Sequence, residues 1–294
     1  MAVTGSSGLI GSALVPALRH AGHDPIRVVR REPAAPDEVG WDPEAGTIDA
    51  HALAGIGAVV HLAGYNLGTR WTASKKRRIL GSRTVGTRLI AETVASLEPR
   101  PSVVVCASAV GFYGSRGDEL LTEASSRGDG FLVDVVEAWE AAAAPAREAG
   151  IRVVQLRQGM VLSRSGGALA RLLLPFRVGL GGPIGPGDQW WSWVAIDDVV
   201  RCYLHALEHP LSGSLNLVAP EPVRNREFVR TLARALRRPA VAPFPAFAVR
   251  ALLGEMGVEV LLASQRVLPA ALEQSGFAFA YGTLDDALAS TLSS

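Results

Sequence analysis

The chain has 294 residues, with a hydrophobic content of 48% and a charged content of 19%, the profile of an ordinary soluble globule large enough to bury a sizeable core. Lys plus Arg of 29 against Asp plus Glu of 28 leaves a net charge of +1. No long-range field recruits nucleic acid or a membrane, so the expected partner is a small molecule. The two cysteines, Cys106 and Cys202, form neither a metal spacing nor a disulfide framework, and no metal is expected. The first residues already read as a strand, and every long apolar run is interrupted by Arg, Gly or Pro. Neither a leader nor a membrane span is expected, and the expected location is the cytoplasm.

The opening stretch carries the most information. Met1 to Thr4 is a short apolar strand that runs into Gly5-Ser6-Ser7-Gly8-Leu9-Ile10-Gly11, a G-x-x-G-x-x-G turn that opens a helix. Gly5 serves a tight turn, Gly8 lets a pyrophosphate approach the backbone, and Gly11 lets the new helix pack on its strand. Ile10, Leu14 and Leu18 then recur on one helix face and Gly22 supplies a stop. The N–H groups of this turn and helix start are the expected seat of a dinucleotide diphosphate.

Pro25 to Val29 reads as a second strand ending at Arg30-Arg31, where folds of this type place the ribose-reading side chain. An NAD site wants an acid there, whereas two guanidiniums suit a 2′-phosphate, so NADP is expected over NAD; solvated loop residues are the plain alternative. Ala58 to Gly64 is an unbroken apolar run, a strand buried on both faces that lays Leu62, Ala63 and Gly64 along the dinucleotide. Ser74 to Ala95 is helical in pattern, and its basic run Lys75-Lys76-Arg77-Arg78 reads as a solvated face. Ser102 to Ala107 is another buried strand, followed by a long Gly-rich loop from Ser108 to Gly130.

Phe131 to Arg147 reads as a single amphipathic helix, Ile151 to Leu156 as a strand, Asp197 to Glu208 as a helix and Leu215 to Val218 as a strand. Trp71, Trp190, Trp191 and Trp193 flank loops, either as the floor of a substrate cleft or as core residues. From Asn225, a candidate cap, the chain reads as helices. The expected architecture is an α/β doubly wound parallel sheet of Rossmann type over residues 1–160, its sheet completed by later segments. A smaller lobe covers 161–294 and is mainly helical over 240–294.

The order of four landmarks, Gly5-x-x-Gly8-x-x-Gly11, His61-Leu-Ala-Gly64, Thr84-Val-Gly86-Thr87 and Ala107-Ser108-Ala109 with Tyr113-Gly114, resembles the extended branch of the short-chain dehydrogenase/reductase superfamily. Arg70-Trp71-Thr72, Trp139-Glu140 and Ser264-Gln265-Arg266 narrow the likeness to an atypical epimerase-like or oxidoreductase-like subgroup with a C-terminal domain of unknown function. The resemblance implies a catalytic Asn, a Ser and a Tyr-x-x-x-Lys pair. The fourth residue after each tyrosine, Tyr65, Tyr113, Tyr203 and Tyr281, is Thr69, Gly117, Leu207 and Asp285, so that pair is missing. Its places fall near Leu132 and Val136. Ser108 matches the family serine and Arg83 stands where the Asn is expected.

Three residues therefore stand as catalytic candidates. Ser108 is placed to hydrogen-bond a substrate oxygen or to cap a strand end; Arg83 balances charge on substrate or cofactor; Tyr113 is either a substitute acid or a packing residue. Ala109-Val110 in place of an acidic pair argues against water elimination, and no G-x-S-x-G elbow supports a serine hydrolase. Two readings follow: an NADP-dependent oxidoreductase or epimerase-like enzyme on a small polar substrate, or a non-catalytic NADP(H) sensor, in either case a monomer or a homodimer.

Overall fold

Apolar strands without polar alternation need cover on both faces, and the computed structural model, which describes residues 1–293, supplies it. Strand β1 (Ala2–Thr4) leads into helix α1 (Leu9–His20), followed by β2 (Ile26–Val29), β3 (Glu38–Asp42), β4 (Thr47–Ile48), β5 (Ala58–His61), α2 (Ala73–Ser96) and β6 (Val103–Ala109). Next come β7 (Leu120–Leu121), α3 (Phe131–Ala141), α4 (Ala144–Glu148), β8 (Arg152–Gln158), β9 (Met160–Leu162), α5 (Gly167–Arg177), β10 (Trp190–Trp191), β11 (Trp193–Ala195) and α6 (Ile196–Glu208). After these follow β12 (Gly213–Leu217), β13 (Val223–Arg224), α7 (Asn225–Leu236), α8 (Ala246–Leu253), β14 (Arg266–Val267), α9 (Ala270–Gln274) and α10 (Leu284–Ser293).

Eight strands form one sheet in the order β12-β8-β6-β5-β1-β2-β3-β4, parallel throughout except for the antiparallel β3–β4 pair. The direction of winding reverses at β1, which pairs with β2 on one side and β5 on the other, Thr4 lying opposite His61. A ligand crevice opens beyond the carboxyl ends of strands at such a reversal. Val3, Val60, Val105 and Val154 face α1 and α6, while Val59, Val104 and Val153 face α2 and α4. Each such valine contributes about 1.5 kcal/mol or more by leaving water, which is why these short runs hold the sheet centre.

The C-terminal part has its own core around Trp193, Phe228, Leu232 and Leu288, yet Leu272 and Phe277 return to the core between the sheet, α1 and α6. Asp198, in the first turn of α6 and wholly buried, accepts the N–H groups of Ala280 at 2.8 Å and Tyr281 at 3.0 Å and pins that return.

Several local readings differ from the sequence expectation. The helix expected over 131–147 is broken into α3 and α4, because Pro145 removes an N–H and restarts the chain at a new helix. Residues after Asn225 are not all helical, since β14 pairs with β7. Asn225 does not cap α7: Arg224 holds that position, and the buried Asn225 Oδ1 accepts the N–H of Ile184 at 2.8 Å. Trp71, Trp191 and Trp193 are core residues.

One buried chain of contacts ties β1 to β5 and to the wall of the crevice. Thr4 Oγ1 accepts the N–H groups of Leu62 at 3.1 Å and Ala63 at 3.2 Å, so its own proton goes to His61 Nδ1 at 2.8 Å. That fixes His61 as the Nε2–H tautomer. Its Nε2 has no hydrogen-bond partner, and the ring stands perpendicular to Trp41 with centroids 6.0 Å apart. Burial lowers the His61 pKa to about 4. A folded value below the ordinary histidine value of about 6.5 means that the unfolded chain binds more protons between the two. The stability held by neutral His61 is thus complete above pH 6.5 and is lost as the pH falls towards 4. Urea unfolding of wild type and His61→Asn at pH 7.5 and pH 5 checks this: we expect a smaller acid loss for the variant, by on the order of 1–2 kcal/mol.

Candidate functional site

The turn after β1 is shaped by absent side chains. Gly5 adopts φ +65°, and a Cβ there would fall 2.8 Å from the carbonyl carbon of Leu62; a Cβ on Gly11 would fall 2.3 Å from the oxygen of Gly5. Only glycine permits these approaches. Helix α1 begins with no capping side chain and no acid in its first turn, so its first N–H groups carry uncompensated positive potential.

A cleft of about 1120 Å³ runs from this turn between the ends of β2 and β3 and the start of α2. Of the residues expected to hold a cofactor, Gly5, Ser6, Ser7, Gly8, Arg30, Arg31, Leu62, Ala63 and Gly64 line it. Three do not. Leu9 packs against Gly166 and Gly167 at the start of α5, Ile10 joins the core beneath α1, and Gly11 abuts Gly5.

The two arginines after β2 are not equivalent. Arg31 pairs with Glu38, whose side chain is 1% exposed and also accepts the N–H of Ala34 at 2.8 Å. The Arg31 hydrogen bond first, and then the Ala34 N–H, hold the Glu38 carboxyl below its ordinary value. Arg30 is exposed and makes no ion pair among the described residues. Opposite, α2 contributes Arg77 and Arg78 to the cleft, with the Arg78 guanidinium 4.6 Å from the Tyr65 ring. The basic run at the start of α2 is therefore not one solvated face. Lys76 instead pairs with Glu255 at 2.7 Å, and Lys75 donates to the carbonyl of Arg70. Two of the three acids that line the cleft are engaged: Asp42 accepts the N–H groups of Glu44 and Ala45, and Glu38 is held as described, whereas the exposed Glu44 carboxylate makes no hydrogen bond or ion pair among the described residues.

Arg83 lies behind the cleft rather than in it. Its Nη1 donates to the carbonyls of Tyr65 at 3.1 Å and Ile79 at 3.2 Å, and its guanidinium sits 5.0 Å from the Trp139 ring, directly under Gly64. No carboxylate accompanies it, and burial lowers its pKa to about 10. It remains cationic at neutral pH.

Ser108, at the end of β6 and 3% exposed, donates to Glu140 Oε1 at 2.6 Å. Glu140 also accepts Arg157 Nε and Nη2, both at 2.8 Å, and the Ser214 hydroxyl at 2.9 Å. Burial works against the charge on Arg157, and its hydrogen bonds and attraction to Glu140 more than restore it, leaving the pKa raised. Neither Ser108 nor Tyr113 is among the residues that line the cleft. Tyr113 is fully buried, donates to Asn216 Oδ1 at 2.7 Å and accepts Arg157 Nη1 at 3.1 Å. Burial raises its pKa. Sequence reading missed the Glu140–Arg157 pair, because strands and helices far apart in the chain bring it together; the adjacency of Trp139-Glu140 was its one visible trace. Leu132 and Val136, at the positions of the absent Tyr and Lys, pack beside Gly111. His205 in the last turn of α6 and His209 just after it stack at 3.8 Å, but His205 Nε2 is engaged by Ser275 and no carboxylate among the described residues bonds to either.

A parallel sheet wound both ways from β1, with an uncapped glycine turn at the reversal, defines a dinucleotide-binding fold of Rossmann type. Residues 1–217 match the NAD dependent epimerase/dehydratase family, and residues 244–291 match a domain of unknown function, DUF1731. The chain belongs to that epimerase/dehydratase family, within the short-chain dehydrogenase/reductase superfamily. The epimerase family protein ML0860 of Mycobacterium leprae is 45% identical over 290 residues, covering 98% of this chain and 94% of the relative. The crystal structure of human epimerase family protein SDR39U1 with NADPH superposes with a TM-score of 0.91 at 35% identity, over 99% of this chain and 98% of that one. A nucleoside-diphosphate sugar epimerase from Corynebacterium glutamicum gives a TM-score of 0.83 at 40% identity, over 99% of this chain and 57% of the other.

The buried pair yields a stability test. Glu140→Leu leaves Arg157 charged and unpaired in the interior and is expected to cost about 3 kcal/mol or more, while Glu140→Leu combined with Arg157→Met is no less stable than the single variant. Arg88→Ala, which breaks the exposed pair with Glu92, leaves stability unchanged within error. Urea denaturation of the four proteins checks the order.

Proposed function

We propose that the cleft binds NADP(H) and that the chain is an NADP-dependent oxidoreductase or epimerase-like enzyme acting on a small polar substrate. The observation that carries the cofactor reading is the division of charge beyond β2: the buried Glu38 carboxylate is already bonded to Arg31 and to the N–H of Ala34, while Arg30 and Arg77 are left for an anion. A ribose diol wants a free carboxylate, whereas a 2′-phosphate wants guanidinium donors. The human relative crystallised with NADPH supports the same choice.

In this reading the turn from Gly5 to Gly8 at the start of α1 receives the diphosphate, Leu62 to Gly64 flank the dinucleotide, and Arg30 with Arg77 and Arg78 hold the 2′-phosphate. Arg31 positions that group by fixing the loop through Glu38. Gly11 and Leu9 act by packing, one on Gly5 and the other on α5. Arg83 adds positive potential under Gly64 without touching the ligand.

A bound nicotinamide supplies or accepts a hydride. The protein's part is the proton. Ser108 already donates to Glu140, so its lone pairs accept from a substrate hydroxyl. As that hydroxyl gives its proton to Ser108 Oγ, the serine proton passes to Glu140, with Arg157 retaining the charge balance. Tyr113 positions Arg157 from the buried side. The second reading, a non-catalytic NADP(H) sensor, draws on one observation: Leu132 and Val136 replace the Tyr-Lys pair with an apolar surface.

Calorimetric titration checks the cofactor assignment: Arg30→Glu is expected to lose roughly tenfold or more of NADP affinity and little NAD affinity. An unaltered preference for NADP would misplace the phosphate contact. Rapid mixing of the NADPH complex with aldehydes, ketones and quinones separates the two readings. Loss of nicotinamide absorbance that is slowed at least tenfold in Ser108→Ala supports the enzyme. No loss with any of them supports the sensor.

A further inference from the structure

The whole-chain balance of charge conceals a segregated distribution. No Asp or Glu occurs between Glu148 and Asp188, nor between Glu227 and Glu255. The fold lays parts of these two acid-free segments side by side: the N–H of Ala242 donates to the carbonyl of Gly181, the N–H of Phe244 to that of Pro183, and the N–H of Gly185 to that of Phe244. The resulting face, built from the end of α5, the loop after it and the start of α8, is apolar and basic at once. Val241, Phe247 and Leu180 are 77%, 74% and 67% exposed, and Leu174 in the last turn of α5 and Val178 just after it are also exposed. Arg177, Arg237, Arg238 and Arg250 are exposed around them, and none makes an ion pair among the described residues.

Large exposed apolar residues grouped on one face mark an interaction surface rather than ordinary scatter. A purely apolar face would suit a second protein copy, but two copies of this one would set four unpaired guanidiniums against four more. The partner that complements both properties offers a dense negative surface above an apolar interior. We infer that this face docks on an anionic lipid bilayer, with Leu180, Val241 and Phe247 entering the headgroup boundary and the four arginines meeting lipid phosphates. No helix among the described residues is long and apolar enough to cross a membrane, and none is needed, since the contact lies on the surface. The opposite end of α5 packs on Leu9 of the glycine turn, so the docked face and the nucleotide cleft share one helix.

The full-length chain is sedimented with vesicles of phosphatidylcholine alone and of equal parts phosphatidylcholine and phosphatidylglycerol. We expect partition onto the mixed vesicles only, weakened by salt and reduced roughly tenfold or more in Leu180→Asp/Phe247→Asp and in Arg237→Glu/Arg238→Glu. Nucleotide titration by calorimetry is expected to be unchanged in both variants, which keeps this result separate from the cofactor assignment. Equal partition onto both vesicle types, none onto either, or undiminished binding by the variants overturns the inference. So does a concentration-dependent dimer in sedimentation velocity that the same substitutions abolish.

Discussion

Everything in this molecule is arranged around one backbone contact, the seating of Gly5 against the carbonyl of Leu62. Three polypeptide segments meet there with no side chain between them: the end of β1, the start of α1 and the run that leaves β5. Thr4 binds the same stretch with its hydroxyl, so the geometry is held by a hydrogen-bonded side chain on one flank and by excluded volume on the other. A larger residue at Gly5 or Gly11 would push the helix start away from β5 and close or tilt the crevice. The uncapped N–H groups matter functionally only because this contact aims them into the crevice instead of at solvent.

The second organising element is electrostatic and lies across the sheet from the first. Glu140 and Arg157 are close to buried, at 12% and 6% side-chain exposure, and their mutual pairing is what lets Ser108, Ser214 and Tyr113 be polar in an interior. Such pairs seldom add net stability compared with an apolar filling, but removing one member is costly because the other charge is then left unpaired in the interior. Where the superfamily places a phenol and an ammonium, the present chain has an apolar helix face; the polar cluster on that helix lies one turn further along, at Glu140.

The central fold was legible because it rests on local signals. Gly5, Gly8 and Gly11 mark a turn by spacing alone, and Ala58 to Gly64 and Ser102 to Ala107 announce buried strands through unbroken apolar runs. The break at Pro145 was also written in the chain, yet a strong 3.6-residue apolar pattern on either side of it concealed the restart. Two-residue ladders such as β10–β13 and β14–β7 carry no periodicity and were invisible. The site was half legible. Position after β2 pointed to both Arg30 and Arg31, but the partner that separates them, Glu38, is set by β2–β3 pairing. The reach of Arg77 and Arg78 into the cleft depends on the angle of α2, and the Ser108–Glu140 contact spans 32 residues. Neither follows from a composition or a period.

The placement of Leu272 and Phe277 has a consequence for biosynthesis. These two side chains fill the same core as Val3, Leu14 and Leu18, although they are translated long after them. While the ribosome is still adding α7 and α8, the core on the α1 side of the sheet lacks Leu272 and Phe277, and Asp198 still lacks the amides of Ala280 and Tyr281. A nascent chain of this protein therefore carries a completed glycine turn on an interior that closes only when residues 272–281 have been made.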